Sequence, residues 1–409
     1  MEALDPPKRF IRDGTTWLGY LLMGSTTFAF ATLGPMMPFF RAELQLNLTI
    51  AAYHFSAWSL GSLFAGCLGD RIIKKFGRFN VIWSGAVVVS LSLLVLVTAH
   101  QAMITIAAAM AAGVCASTMG MCINSLMSNR FGDERAIGIT EANIIGSIVC
   151  SAAPLVVSSF VRYGIGWRPA LMLPIVSFIV LFIALRKSPV EQEQGKRAVN
   201  ISGALPAVYW AYWSVIVLSV ACEWSIILWS AEFLEKVSGL IRTDAVACVS
   251  AFLSAMLLGR LIGRQLAGKF STQTLLPYAS VIALAGFLMF WLGHSVHMAI
   301  IGLFICGLGI SNFYPLTLSA ALSVAPHNAT TATARASMGT GCAVLLAPLA
   351  LGFVADHHGV FNAYGLIAIL LTMCIGMVFV ANRHARGHSA AAHNFELEPL
   401  PIALPNPAD

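Results

Sequence analysis

Residues 66–78, Gly-Cys-Leu-Gly-Asp-Arg-Ile-Ile-Lys-Lys-Phe-Gly-Arg, place four basic residues and one acid between two apolar runs. A helix that crosses a bilayer needs roughly 20 mostly apolar residues, and the runs on both sides reach that length. The charged segment therefore predicts a short loop at a membrane face, between two spanning helices.

The composition extends this pattern to the whole chain. Of its 409 residues, 58% are hydrophobic and only 10% are charged, against about 25% charged in soluble domains. Twelve apolar runs are long enough to span: about 17–40, 48–69, 80–99, 102–127, 137–160, 168–185, 207–235, 244–268, 275–293, 297–323, 333–354 and 361–381. The sequence predicts an all-α membrane protein with twelve transmembrane helices.

The longest polar break divides these runs into six plus six. We expect a cytoplasmic N-terminus (1–16), a six-helix bundle (17–185), a cytoplasmic linker (186–206), a second six-helix bundle (207–382) and a disordered cytoplasmic tail (383–409). With the N-terminus in the cytoplasm, 19 of the 24 Lys and Arg residues fall in cytoplasmic segments. That bias predicts that both termini lie inside the cell. We expect the protein in the cell (inner) membrane.

The two halves repeat one another. Gly69-Asp70 and Lys75-Phe76 recur 194 residues later as Gly263-Arg264 and Lys269-Phe270, and Ala153-Pro154-Leu155 recurs at the same offset as Ala347-Pro348-Leu349. Tandem bundles of equal orientation imply a pseudo-twofold axis along the membrane normal, with a cavity between them.

Several function classes are disfavoured. The net charge of +6 does not indicate nucleic-acid binding, because the basic residues lie between apolar runs rather than in one patch. The nine cysteines all lie in apolar segments without a CxxC pair, so neither a disulfide nor a metal site is expected. Nucleotide-binding and hydrolase motifs are absent, so we expect neither an enzyme nor a cofactor.

Twelve helices in two halves, with Gly66-x-x-x-Asp70-Arg71 and Gly77-Arg78 after the second helix, resemble the major facilitator superfamily. The family's loop has one residue between Asp-Arg and Gly-Arg, whereas this chain has five, Ile72 to Phe76. The four extra residues are about one helical turn and predict a longer second helix. The resemblance implies a monomeric transporter in contact with membrane lipid.

The seventh helix is similar to the fucose-permease-like branch of sugar–proton symporters. The similarity lies in Ala221-Cys222-Glu223-Trp224-Ser225-Ile226, followed by Trp229 and Phe233-Leu234. Gly259–Arg264 and Phe313-Tyr314-Pro315 fit the same branch. The glycine motif that proton-antiporting exporters carry in helix 5 lacks its terminal glycines here, where the residues are Ala153–Val157.

Glu223 is the strongest candidate for chemistry. A carboxyl in mid-membrane is costly and marks a proton site, a ligand contact or one partner of a pair. We expect Glu223 to bind the coupled proton or a substrate hydroxyl, although a structural cap is the alternative. Other expected contacts of the substrate are Thr27, Phe30, Asn124, Trp229, Asn312 and Tyr314, and for the small or aromatic ones helix packing is the competing interpretation.

The charged loop residues are expected to act as a gate. The loop residues are Asp70, Arg71 and Arg78. At the 194-residue offset Asp70 corresponds to Arg264, and Glu141 to Arg335. Pseudo-twofold symmetry then suggests two cytoplasmic latches, Asp70–Arg335 and Glu141–Arg264, formed when the cavity opens outward. Glu141 as a second proton carrier is the alternative.

The function expected from these patterns is alternating-access transport. The first hypothesis is proton-coupled uptake of a small polar solute, a sugar or related metabolite, with protons and that solute as partners. The second is export of drugs or metabolites. Helix 1 has no acid between Trp17 and Phe40, where sugar–proton symporters often carry one, so uncoupled transport stays open.

Overall fold

In the computed structural model the chain folds into helices joined by short connections; the structure describes residues 12–131, 135–186, 205–267, 269–293, 295–325 and 328–396. The helices are α1 (Gly14–Ala31), α2 (Leu33–Leu44), α3 (Leu48–Phe76), α4 (Arg78–Thr98), α5 (Ala102–Phe131), α6 (Arg135–Arg162), α7 (Arg168–Leu185), α8 (Ala207–Lys236), α9 (Arg242–Ala267), α10 (Thr272–Leu292), α11 (Val296–Ile310), α12 (Phe313–Ser323), α13 (Ala329–His358) and α14 (Val360–Glu396). No strand occurs in these ranges, which confirms the all-α prediction.

Two membrane crossings are each built from two helices. The break between α1 and α2 follows Ala31, and Pro35 lies four residues later; the break between α11 and α12 begins at Ser311, again four residues before a proline, Pro315. Proline has no N–H to donate to the carbonyl four residues earlier, so it favours a break at that point. Counting α1–α2 and α11–α12 once each gives the twelve crossings that the sequence predicts.

The internal repeat sets the helix starts. Helices α3, α4, α5 and α6 begin at Leu48, Arg78, Ala102 and Arg135, and α9, α10, α11 and α13 begin at Arg242, Thr272, Val296 and Ala329. Each start in the second set lies 194 residues after its counterpart. The first half (α1–α7) and the second half (α8–α14) are therefore pseudo-twofold-related bundles.

Two antiparallel helix pairs join the halves. Helix α3 packs against α13, where Gly341 lies against Leu63 and Gly352 against Leu48. Helix α6 packs against α9. We define the basic face as the side where α3 ends and α13 begins, and the far face as the opposite side.

The charged segment 66–78 is mostly helical. Helix α3 continues through Phe76, as the four extra residues between Asp70-Arg71 and Gly77-Arg78 predict. The chain turns at Gly77, whose φ of 78° favours glycine, and α4 begins at Arg78. The Arg78 side chain is buried and donates a hydrogen bond to Ser125 Oγ at 2.6 Å. At the other end of the chain α14 continues to Glu396, beyond the predicted start of the tail at 383; residues 397–409 and most of the linker, 187–204, lie outside the described ranges.

Candidate functional site

Contacts between the halves close the far face. At the start of α3 the backbone N–H groups of Leu48 and Thr49 donate to the Asp356 carboxylate at the end of α13, at 2.9 and 2.7 Å. The free N–H groups of a helix N-terminus favour such an anion. On the second helix pair Arg162 pairs with Asp244.

A second ion pair between the halves lies deeper at the same face. Arg41 at the end of α2 contacts the buried Glu232 of α8, which also pairs with Lys236 one turn on at 2.9 Å. Among the ion pairs between described residues, the two that join the halves, Arg41–Glu232 and Arg162–Asp244, both lie at the far face. The molecule is therefore held in a conformation closed on that side.

A cavity of about 180 Å³ lies between the halves. Helices α1 and α6 of the first half and α8 and α9 of the second half form its walls. The lining residues are Thr27, Asn143, Gly146, Ser147, Cys150, Ser151, Glu223, Trp224, Ile227, Leu253, Met256, Leu257 and Arg260. The α6 wall is polar and the α9 wall is apolar except for Arg260, so a solute here would meet both hydrogen-bonding groups and a hydrophobic surface.

Glu223 and Arg260 are the charged residues of this lining. The Glu223 side chain is 15% exposed, and its Oε1 lies 3.9 Å from Arg260 Nη2. That separation exceeds hydrogen-bond length. Arg260 Nη1 donates to Ser147 Oγ of the other half at 3.2 Å. The guanidinium thus bridges the halves, and the carboxylate faces the cavity with no described hydrogen bond.

Three aromatic rings stand beside the pair. Phe30 of α1 stacks on Trp58 of α3, with ring centroids 5.2 Å apart, and meets Trp224 of α8 at 4.9 Å. Trp224 also lines the cavity. The rings join three helices of both halves next to Glu223, so the expected substrate contact Phe30 adjoins the cavity, and Thr27 lines it directly.

A model of the Major Facilitator Superfamily matches residues 17–334 and 249–407. The chain belongs to this superfamily. An uncharacterized MFS-type transporter of Yersinia pestis is 27% identical over 364 residues, which cover 87% of this chain and 92% of that protein.

Solved superfamily structures share the fold. The nucleoside transporter NupG superposes with a TM-score of 0.71 at 14% identity, over 90% of this chain and 97% of that one. A bacterial homolog of the human lysosomal transporter Spinster, inward-facing and occupied, gives a TM-score of 0.70 at 15% identity, over 93% and 98%. This superfamily chain is thus a membrane transporter by family, and its twelve-crossing fold is that of known transporters.

The other expected substrate contacts lie away from the cavity in this conformation. Trp229 is buried and donates its indole N–H to the Pro348 carbonyl at 3.1 Å. Asn312 donates to the Gly259 carbonyl at 2.7 Å and so ties the break between α11 and α12 to α9. Tyr314 packs in the hydrophobic cluster that includes Trp224.

Asn124 differs from these three. Its Oδ1 is buried on α5 and has no hydrogen-bond partner among the described residues. A buried acceptor without a partner costs about 1–3 kcal/mol. The role of Asn124 in binding the substrate stays a prediction, because the cavity lining does not include it.

The gate residues are in register but not paired. Extending the contacts of Leu48 with Asp356 and of Leu63 with Gly341 along α3 and α13 places Asp70 opposite Arg335. Both side chains, like that of Arg71, are exposed, and no ion pair joins Asp70 to Arg335.

Glu141 is bound within its own half. Its carboxylate accepts hydrogen bonds from Arg12 Nη2 at 2.6 Å and from the Tyr20 hydroxyl at 2.8 Å. The hydrogen bonding of Arg12 to Glu141 raises the pKa of the Arg12 guanidinium, because Glu141 stabilises its charged form. The contacts of Arg260 with Ser147 and of Arg162 with Asp244 show how α9 is aligned along α6. Extending this alignment along both helices places Arg264 close to Glu141, yet the two residues do not form an ion pair.

Sequence reasoning missed Arg260 and the ion pair of Arg41 with Glu232. From the sequence, Arg260 is assigned to the cytoplasmic basic residues that set the topology, but it lies within α9, seven residues before the helix ends. An arginine within an apolar span is the signal that could have found it. Glu232 is hidden in the sequence because it lies close to the end of α8, where an acid is ordinarily solvated.

Proposed function

We propose that this superfamily member is a secondary active transporter that moves a small polar solute, a sugar or related metabolite, by alternating access. We further propose that Glu223 carries a coupled proton. The orientation proposed from the basic residues places both termini in the cytoplasm of a bacterial cell, with the protein in the inner membrane and acting as a monomer. The helix-7 similarity to the fucose-permease-like branch supports the same substrate class.

The observation that carries the proposal is the place of Glu223. Its carboxylate faces a cavity walled by both halves, 3.9 Å from Arg260 and without a described hydrogen bond. A carboxylate so placed alternates between an ion pair and a neutral acid when a proton binds, and that change is felt by whatever occupies the cavity. Each rearrangement of the halves would expose the same group to the other side.

The competing function is export of drugs or metabolites. The cavity of about 180 Å³ is smaller than the roughly 300–1,000 Å³ of pockets that enclose drug-sized ligands. The size favours a small solute over a drug. A metabolite exporter with the same cavity stays the second candidate, and the direction of proton-coupled flux distinguishes it from uptake.

The test is solute-driven proton movement. Purified protein in liposomes containing a pH-sensitive dye is presented with neutral sugars, sugar acids and cationic drugs in turn. The active solute should acidify or alkalinise the lumen, and Glu223→Gln should abolish that proton flux while counterflow of labelled solute persists.

Glu43→Gln is the matched control, because Glu43 pairs with Arg168 of its own half at the far face and does not line the cavity. It should retain proton flux. Full proton-driven accumulation by Glu223→Gln would show that the proton role is wrong.

A further inference from the structure

The cavity holds a guanidinium with unused hydrogen-bonding capacity. Arg260 is 45% exposed at its side chain, makes one described hydrogen bond, to Ser147, and lies 3.9 Å from its nearest acid. A guanidinium has five N–H donors in a planar fork that fits a carboxylate through two parallel hydrogen bonds. The described contacts leave such a paired donor edge available.

The net charge of the residues that line the cavity indicates the charge of the ligand that it can hold. Arg260 is its cation and Glu223 its acid. With Glu223 ionised the site is neutral, and with a proton on Glu223 the site carries one positive charge. A monoanion then restores neutrality, whereas a dianion leaves one negative charge uncompensated, and an uncompensated charge in a partly desolvated site is costly.

The remaining lining matches hydroxyl groups on a short chain. Thr27 offers a hydroxyl. The side chains of Asn143, Ser147 and Ser151 donate to backbone carbonyls of α6, and their oxygen atoms can accept hydrogen bonds from hydroxyl groups of a solute. The apolar residues of α9 face them. The cavity volume of about 180 Å³ lies below the roughly 300–1,000 Å³ of pockets that enclose drug-sized ligands. A compact polar molecule fits that volume.

We propose that the transported solute is a hydroxy monocarboxylate of three to six carbons, whose carboxylate binds Arg260 while Glu223 is protonated. The proposal rests on the transport function proposed above and narrows its substrate class. The protonated acid releases Arg260 from its ion pair, and the solute carboxylate takes the place of the Glu223 carboxylate. Because Arg260 also contacts Ser147 of the other half, solute and proton act on one inter-half contact.

Few other titratable groups face Glu223. Arg260 comes from α9 and the thiol of Cys150 from α6, while α1 contributes Thr27 to the cavity. A pH dependence of binding that disappears in Glu223→Gln is therefore assigned to Glu223 itself.

The experiment compares ligands of matched size and different charge. The full chain in nanodiscs is titrated with D-gluconate, D-glucitol and D-glucose 6-phosphate, and with L-lactate, glycerol and glycerol 3-phosphate, at pH 5.5 and 7.5. At one or both chain lengths the carboxylate should bind more tightly at pH 5.5 than at pH 7.5, and at least tenfold more tightly than its neutral counterpart. The comparison with the phosphate is made at pH 7.5, where the phosphate is mostly a dianion because its second pKa is about 6. There too the carboxylate should bind at least tenfold more tightly. Glu223→Gln should bind it at both pH values as the wild type does at pH 5.5.

Variants of the arginine test the assignment of the contact. Arg260→Gln should lose the preference for the carboxylate, and Arg260→Lys should keep a weakened preference because it retains the charge without the fork. Arg186→Gln, at the exposed end of α7 over Phe182, is the matched control and should bind as the wild type does. Melting temperatures close to that of the wild type establish that the variants fold.

The outcomes separate the two proposals. Tightest binding of a phosphate, tightest binding of a polyol, or no binding of either carboxylate overturns the monocarboxylate assignment. A polyol whose binding depends on Glu223 and not on Arg260 overturns it as well, but leaves proton-coupled transport of a polar solute standing. Carboxylate binding without any proton flux on transport keeps the ligand class and overturns the coupling.

Discussion

Replacing Asp356 by Asn should weaken the closure of the far face. The Asp356 carboxylate accepts from the backbone N–H groups of Leu48 and Thr49, and also from the Thr49 hydroxyl at 2.5 Å. Asn keeps the shape but loses one acceptor and the negative charge. A net hydrogen bond contributes about 0.5–1.5 kcal/mol, and a charge at a helix N-terminus about 0.3–1 kcal/mol. The closed conformation should therefore lose about 2 kcal/mol, roughly a 30-fold change in the opening equilibrium.

Cysteine labelling of the protein in detergent measures how often the far face opens, because the thiol reagent then has access to both faces of the protein. Ser56 is buried and donates to the Leu345 carbonyl of the other half at 2.7 Å, so a Ser56→Cys thiol reacts only after the halves part at the far face. Modification at residue 56, followed by mass spectrometry, should be roughly 30-fold faster with Asp356→Asn. Glu43→Gln, which removes a charge from the same face within one half, should leave the rate unchanged. Equal labelling rates for Ser56→Cys alone and for Ser56→Cys combined with Asp356→Asn would refute the reasoning. Glu43→Gln would also refute it if it accelerated the labelling as much as Asp356→Asn does.

Two further predictions concern helix packing and the gate. A Cβ at Gly113 would overlap the Trp58 carbonyl oxygen, whereas a Cβ at Gly120 of the same helix meets nothing within 4 Å; Gly113→Ala should therefore lower stability by about 1–3 kcal/mol, and Gly120→Ala should not lower the melting temperature. Asp70→Arg and Arg335→Asp should each slow transport in liposomes, and the double charge swap should recover activity, because the pair can form again with opposite polarity. A double variant no faster than either single variant would argue against that latch.

The fold could be predicted largely because a bilayer imposes strong local rules. Each crossing needs an apolar run of known length, and the repeat at 194 residues follows from similar packing demands in both halves. The breaks after Ala31 and before Pro315 were not predicted, although each has a proline signal, because proline inside other helices is tolerated: Pro154 and Pro348 interrupt neither α6 nor α13. Whether a proline breaks a helix depends on neighbours that can bind the freed carbonyl.

The candidate site was predictable only in part. Glu223 stood out because an acid in an apolar span is rare, and Thr27, one of the expected substrate contacts, lines the cavity. Arg260 was missed because a basic residue near a helix end has a sufficient explanation in topology. Trp229 suited a sugar by residue type, but its indole N–H binds the Pro348 carbonyl instead. Residue type selects candidates, whereas the partner that a side chain finds depends on helix rotation and on contacts distant in sequence.

The arrangement of charges along the two inter-half helix pairs bears on how the faces alternate. In each pair, complementary groups lie at both ends. On α13 the base Arg335 lies at the basic face and the acid Asp356 at the far face. On α6 the order is reversed, with the acid Glu141 at the basic face and the base Arg162 at the far face. Because helices are stiff, rocking that joins one end of a pair separates the other. Exposed ion pairs contribute only about 0–1 kcal/mol each, and an imbalance of about 1.4 kcal/mol between the faces would already favour one conformation tenfold. Weak complementary groups at opposite ends of these two helix pairs therefore suit the alternating access proposed above, and in this conformation the buried Arg41–Glu232 pair adds to the closure of the far face. The inverted polarity of α6 and α13 disfavours the pairing of either helix with the other's partner by like-charge repulsion.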